Sequence, residues 1–273
     1  MMKIKLAKKF IKKIILFLLA GALCACQSRA EKFYHLAQTK IEQRQFLDAV
    51  DLLENSAELE KNNRLWSKTN FEIARILRFE IQDYNKALLV YRELILKSEE
   101  ASIRLLSQEA IAEIFFENIQ DYITAVKEYL LLESLIKDPE KLEKIRLKIA
   151  QCYRYTGSFK TALEYIEVFL NSAKTEKNSF LKLKAQTYSS LGQYDEAVKN
   201  YNLILANDPK YFLDENLYVA IAMTYEEKQD YKTALAYILQ NKDKIKDGSY
   251  VELRIKRLNE KLLNKPFTKG VRK

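Results

Sequence analysis

Apolar and polar positions along the chain alternate with a helical period, and one pattern returns six times. It is an aromatic residue, two residues, Ala, three residues, then a large apolar residue. The copies are Phe46…Ala49…Leu53, Tyr84…Ala87…Tyr91, Tyr122…Ala125…Tyr129, Phe159…Ala162…Ile166, Tyr194…Ala197…Tyr201 and Tyr231…Ala234…Ile238. Successive aromatics are 38, 38, 37, 35 and 37 residues apart. Residues four apart share one helix face, so the Ala and the large residue stack one turn apart. Upstream of each copy runs a second helical segment with its own small residue: Ala37, Ala74, Ala112, Ala150, Ala185 and Ala222. Each unit is therefore a helix, a short polar turn and a helix, with Ala where the two approach and the aromatic filling the space between them.

The small residue lies nine positions before the aromatic in four copies and ten before it in the second and third, which predicts one extra residue in those two turns. Gly157 and Gly192 suit a helix end that needs positive φ, and Asp138-Pro139 and Asp208-Pro209 mark boundaries between units. One helix pair cannot bury both of its faces, so neighbouring pairs must stack. Residues 249–263 read as a further amphipathic helix whose charged side suits the end of such a stack.

Tyr194, Ala197, Tyr201 and Pro209, with Gly192 before them, resemble the tetratricopeptide repeat (TPR) family, and the likeness extends over roughly residues 30–245. The period is slightly longer than the family's usual ~34 residues. There is no Trp at the usual start, and Gly occupies only two turns. The resemblance implies an all-α fold, a right-handed superhelical solenoid of about six helix pairs closed by a C-terminal capping helix. It also implies a groove lined by the first helices, at positions three before, one after and four after each small residue. Those positions are Tyr34, Gln38 and Ile41; Phe71, Arg75 and Arg78; Glu109, Glu113 and Phe116. They continue as Leu147, Gln151 and Arg154; Lys182, Gln186 and Ser189; Val219, Met223 and Glu226. Apolar members would supply buried area and the arginines would pair a partner's carboxylates. Glu109 and Glu113 oppose a purely anionic ligand, and their alternative is to pair with Arg75 and Arg78 between repeats.

Composition supports the helical reading. Five Gly and three Pro in 273 residues are too few for a turn-rich all-β chain. The single His, His35, leaves no multi-His metal site, and the scattered Gly form no phosphate-binding loop. No nucleophile motif accompanies His35, so the expectation is a binding protein without catalytic residues, cofactor, metal or small-molecule substrate. Cys152 falls within a helical pattern and reads as a packed small residue. Trp66 opens the second repeat and reads as an inter-repeat packing residue.

The net charge of +9 comes from the two ends. Residues 1–25 hold six Lys and no acid, and the tail 265–273 holds four basic residues and no acid, leaving the body at −1. That distribution gives no support for nucleic-acid binding. Lysines followed by the apolar run from Ile14 to Leu23 read as a signal peptide, since the run falls short of the ~20 residues that span a bilayer. Leu23-Cys24-Ala25-Cys26 resembles a bacterial lipobox, which implies cleavage before Cys26 and acylation of that residue, with Gln27 pointing to the outer membrane. The expected organisation is a signal peptide at 1–25, a lipidated N-terminus and linker at 26–30, the repeat array at 31–246, a capping helix at 247–264 and a basic tail at 265–273.

Lipid and array together would make a tethered docking surface for protein partners, facing the periplasm. Among known families this looks most like the BamD-type TPR lipoproteins of the outer-membrane β-barrel assembly machinery, which implies binding of a barrel insertase and its substrates. Lipoprotein adaptors for type IV pilus assembly or for peptidoglycan hydrolases share the same features. A different reading is that the basic tail holds the protein to an anionic envelope surface or cell-wall polymer. Cys26→Ser should move the protein from the membrane to the soluble fraction on cell fractionation. Undiminished membrane association would refute the lipid anchor.

Overall fold

Twelve alanines, one in each helix of the six predicted pairs, are wholly shielded from solvent in the computed structural model, which describes residues 28–60 and 64–264. The signal sequence, Cys26 and the tail 265–273 lie outside the described residues. All six of the large residues that follow the second-helix alanines are equally buried or nearly so: Leu53, Tyr91, Tyr129, Ile166, Tyr201 and Ile238. The aromatic at the head of each second helix behaves differently. It is the first helical residue in all six copies, and it is only half-buried. Closest packing thus belongs to the Ala and the residue one turn later, and the aromatic covers the edge of the pair.

All elements among the described residues are helical. The first pair is α1 (Arg29–Glu42) and α2 (Phe46–Leu59), and the second is α3 (Arg64–Ile76) and α4 (Tyr84–Lys97). Then come α5 (Ala101–Glu113) and α6 (Tyr122–Leu135), α7 (Pro139–Tyr155) and α8 (Phe159–Leu170), and α9 (Lys177–Ser190) and α10 (Tyr194–Asn207). The last pair carries an unforeseen break. A short α11 (Pro209–Asp214) ends at Asn216, which takes a left-handed conformation, before α12 (Leu217–Glu227) pairs with α13 (Tyr231–Asn241). A final helix, α14 (Gly248–Leu263), follows. Ser28 and Glu31 form a reciprocal cap that starts α1 two residues ahead of the expected edge of the array.

The ten-residue spacing of the second and third copies is resolved inside the first helix, and the expected longer turn is absent. α3 continues as a wide π-helical turn over Leu77–Ile81, and α5 does so over Ile114–Ile119. A π turn takes up one residue more than an α turn. The links that follow are Gln82-Asp83 and Gln120-Asp121, shorter than the three-residue links of the other pairs. Every link places the residue two before the aromatic in the left-handed region: Arg44, Gln82, Gln120, Gly157, Gly192 and Gln229, with φ between 57° and 76°. Asp83, Asp121 and Asp230 then accept a hydrogen bond from a backbone N–H in the first turn of the second helix.

The chain divides into two compact units, one up to Gln120 and one from Asp121. In the first, Leu53, Ile73, Tyr91, Leu94 and Ile111 form the core with Trp66, which is buried as predicted. The Ser56 hydroxyl donates to the Ala30 carbonyl (2.8 Å), tying the second helix of the first pair back to the start of α1. In the second unit, Ile166, Phe180, Tyr201, Phe212 and Ile238 form the core, and Val251 of α14 joins it. The other side of α14 carries exposed Glu252, Lys256, Arg257 and Glu260, the arrangement expected of a cap. Cys152 is buried, and burial pushes its thiol up to about 12, which suits a packing residue.

Polar contacts in the second unit join successive repeats. Arg146 pairs with Glu133 (2.7 Å), which also accepts from the Tyr165 hydroxyl (3.1 Å). Glu143 reaches from α7 to the loop before α9 and accepts from the backbone N–H groups of Lys174, Thr175 and Glu176 at 2.9–3.0 Å. Partial burial works against its ionisation, yet these donors and the Thr175 hydroxyl hold Glu143 down at about 2.

The shared left-handed position gives a two-way test. Gln82→Gly and Gln120→Gly should each stabilise by about 0.5–1 kcal/mol, because only Gly adopts this region without a Cβ penalty. Gly157→Ala should destabilise by about 1 kcal/mol through backbone strain alone, since the added Cβ meets nothing within 4 Å. Urea unfolding measures both directions.

Candidate protein-docking groove

In the first unit the predicted groove positions are largely engaged with the protein itself. Arg78 is 4% exposed and does not face a partner. It sits in the π-helical turn of α3, where its guanidinium donates to Glu113 (2.7 Å), Glu117 (3.5 Å) and the side-chain Oδ1 of Asn118 (3.2 Å) in the next repeat. Its other face stacks 4.5 Å from the exposed Phe79 ring. Arg75 is exposed but forks onto Glu72 of its own helix (2.8 and 3.1 Å). The pairing alternative therefore holds for Arg78 and Glu113, while Arg75 pairs locally.

Phe71 lies edge-on to Tyr91, and Ile41 packs against the core. Tyr34 is half-buried beneath the Lys68 ammonium (4.6 Å). Gln38, Glu109 and Phe116 are half-buried, and the Gln38 Nε2 is enclosed without a hydrogen-bond acceptor. His35 is exposed beside the Tyr34 ring. A cavity of about 380 Å³ in this unit is lined by Trp66, Asn70, Glu54 and Glu58, none of them in the predicted set.

The second unit gathers predicted residues into one place. A cavity of about 420 Å³ brings together Arg154 at the end of α7, Gln186 and Ser189 on α9, and Met223 on α12. These are the first helices of three successive pairs, at the register the family resemblance implies. Further lining residues were not anticipated. Ser190 and Glu227 stand five positions after their small residues, one step beyond the register considered, and Thr224 and Ala220 flank Ala222 by two. Tyr194 and Tyr201 belong to the repeat signature, so their dual use was masked by their packing role.

Other predicted members are spent structurally. Val219 is 8% exposed and part of the core. Lys182 pairs with Glu215 (2.7 Å), and Glu226 is held by Arg254 of the cap. Leu147 and Gln151 are half-buried, Leu147 against the core.

Arg154 is the distinctive member of the cavity. Its Nε is enclosed and has no hydrogen-bond acceptor, and among the described residues it forms no ion pair; its guanidinium lies 5.6 Å from the Tyr155 ring. Burial pushes the Tyr201 phenol up to about 12, with the positive Arg154 acting against the rise. The Thr224 hydroxyl donates to the Ala220 carbonyl (2.9 Å) and contacts the Ser189 hydroxyl (3.3 Å), so these two are satisfied. The lining is thus a charged fork and amide and phenol donors beside an exposed thioether (Met223, 40%).

The two kinds of arginine separate in stability. Arg78→Ala should cost about 2–3 kcal/mol, because it removes three contacts from a buried site. Arg75→Ala should stay within about 0.5 kcal/mol, as expected of an exposed pair. Equal midpoints in urea would contradict this placement.

A family profile described as "Tetratricopeptide repeat" matches residues 183–211, which contain α10 and most of α9. No curated protein matches the chain. Among solved structures, a tetratricopeptide repeat protein from Parabacteroides merdae ATCC 43184 superposes with a TM-score of 0.59 at 15% identity, over 89% of this chain and 95% of that one. PilW, a widely conserved type IV pilus biogenesis factor, gives a TM-score of 0.53 at 14% identity, over 86% and 100%. YrrB, a TPR protein with an unusual peptide-binding site, gives 0.50 at 14% identity, over 75% and 97%. The chain has a TPR-like helical-repeat fold and carries a tetratricopeptide repeat within its second unit.

Proposed function

We propose that this chain is a protein-docking scaffold of the bacterial cell envelope, held to the outer membrane through Cys26 and engaging a protein partner with the cavity of its second unit. The observation that carries the reading is the convergence of Arg154, Gln186, Ser189 and Met223 from three successive first helices on one open cavity. Cavities that combine apolar surface with a few convergent polar groups are the usual form of a binding site. The anchor rests on the lysine-rich leader, its short apolar run and the Leu23-to-Cys26 sequence. The machine proposed is a barrel-assembly complex of the outer membrane. Pilus assembly is the second reading, favoured by the likeness of fold to PilW.

Site-specific photocrosslinking in cells tests the docking face. A benzophenone amino acid replacing Met223, at the cavity, should yield a discrete adduct with a protein. The same group replacing Val168, 68% exposed on the second helix α8, should not. No adduct from Met223, or the same adducts from both positions, would overturn the reading.

A further inference from the structure

We propose that the Arg154 cavity receives a single carboxylate side chain, an Asp or Glu set among apolar residues of the partner segment, and excludes acidic runs. This rests on the docking reading and specifies what it recognises.

The argument begins with charge. Most arginines and lysines drawn into the protein surface find acceptors within the chain: Arg78 pairs with Glu113, Arg146 with Glu133, Arg254 with Glu226, Lys182 with Glu215 and Lys184 with Glu167, and Arg104 donates to the backbone carbonyls of Ser98 and Glu99. Arg154 does not, although its Nε is fully enclosed. A guanidinium presents a planar fork that matches a carboxylate with two parallel hydrogen bonds, and the match strengthens where water is partly excluded. Gln186 and Tyr194, both half-buried in the lining, place an amide and a phenol donor around the same space.

The remaining lining decides how much negative charge is tolerated. Glu227 lies in the cavity wall, and it opposes a second negative charge entering beside the first. Glu226, next to it in sequence, is already neutralised by Arg254. One carboxylate can thus be matched by Arg154, whereas an acidic run or a phosphate dianion meets Glu227 as well. Met223 and Ala220 offer apolar surface next to the donors, which suits aliphatic residues on either side of the acid. A volume of about 420 Å³ holds one such side chain with parts of its neighbours.

The test uses the full-length protein in detergent micelles and three fluorescein-labelled, terminally blocked pentapeptides, read by fluorescence anisotropy. Their sequences are Ala-Leu-Glu-Leu-Ala, Ala-Leu-Gln-Leu-Ala and Ala-Glu-Glu-Glu-Ala. The single-Glu peptide should bind about tenfold more tightly than either of the others. Arg154→Gln should erase that preference while circular dichroism shows the helices intact. Glu227→Gln, at an exposed position, should leave the fold unaffected and bring the triple-Glu peptide to within about threefold of the single-Glu one. Equal binding of the Glu and Gln peptides, a preference that survives Arg154→Gln, or no binding of any peptide would overturn the proposal. Displacement of the single-Glu peptide by equimolar inorganic phosphate would overturn it too, by showing a general anion site. In each of these cases a Met223-specific protein adduct in cells would leave the docking reading standing, whereas its loss would remove both.

Discussion

Close approach of paired helices through buried alanine is the constraint on which the rest of this structure depends. Each of the twelve helices in the six pairs contributes one Ala with no exposed surface. A larger side chain at such a point would force backbone shifts or off-rotamer packing, at a cost of about 1–3 kcal/mol. With the two backbones held near one another, the large residue one turn later, such as Leu53 or Ile166, is sealed as well. The aromatic at the head of the second helix is then left on the rim, half-buried, and free to serve neighbouring surfaces. Tyr194 does so at the cavity wall.

Holding that approach fixed while the sequence spacing varies requires compensation, and the chain places it in the first helix. The turn geometry is kept constant: a left-handed residue two before the aromatic in all six copies. When one more residue lies between the small Ala and the aromatic, a π-helical turn takes it up, and the link becomes shorter. The π turn of α3 has a second consequence. It carries Arg78 into contact with Glu113, Glu117 and Asn118, so that a spacing irregularity becomes an inter-repeat tie. Arginine suits that place because its fork can address three acceptors at once while its face lies on Phe79.

Charge then separates structural positions from available ones. Repeats present equivalent registers to neighbouring repeats and to solvent alike, so a charged residue at a groove position is either spent within the chain or left for a partner. Arg78, Lys182 and Glu226 belong to the first kind and Arg154 to the second. The same economy explains why the two units differ. In the first, the groove register is filled by internal pairs and aromatic contacts. In the second, three first helices leave a cavity whose strongest donor has no internal acceptor.

The amino-acid sequence by itself determined the helical class, the six pairs, the turn positions and the capping helix, because helical period and buried Ala are local and repeated constraints. The repeat register, read with the groove positions that the family resemblance implies, is why Arg154, Gln186, Ser189 and Met223 could be named in advance. The sequence did not determine which members of that register would be spent. Whether Arg78 faces a partner or Glu113 depends on where the π turn falls, and whether Glu226 is free depends on the arrival of Arg254 from α14, 28 residues later. The break at Asn216, the core position of Val219 and the inclusion of Ser190 and Glu227 in the cavity are likewise tertiary outcomes. Each depends on contacts between elements distant in sequence, and such contacts leave no period for a one-dimensional pattern to show.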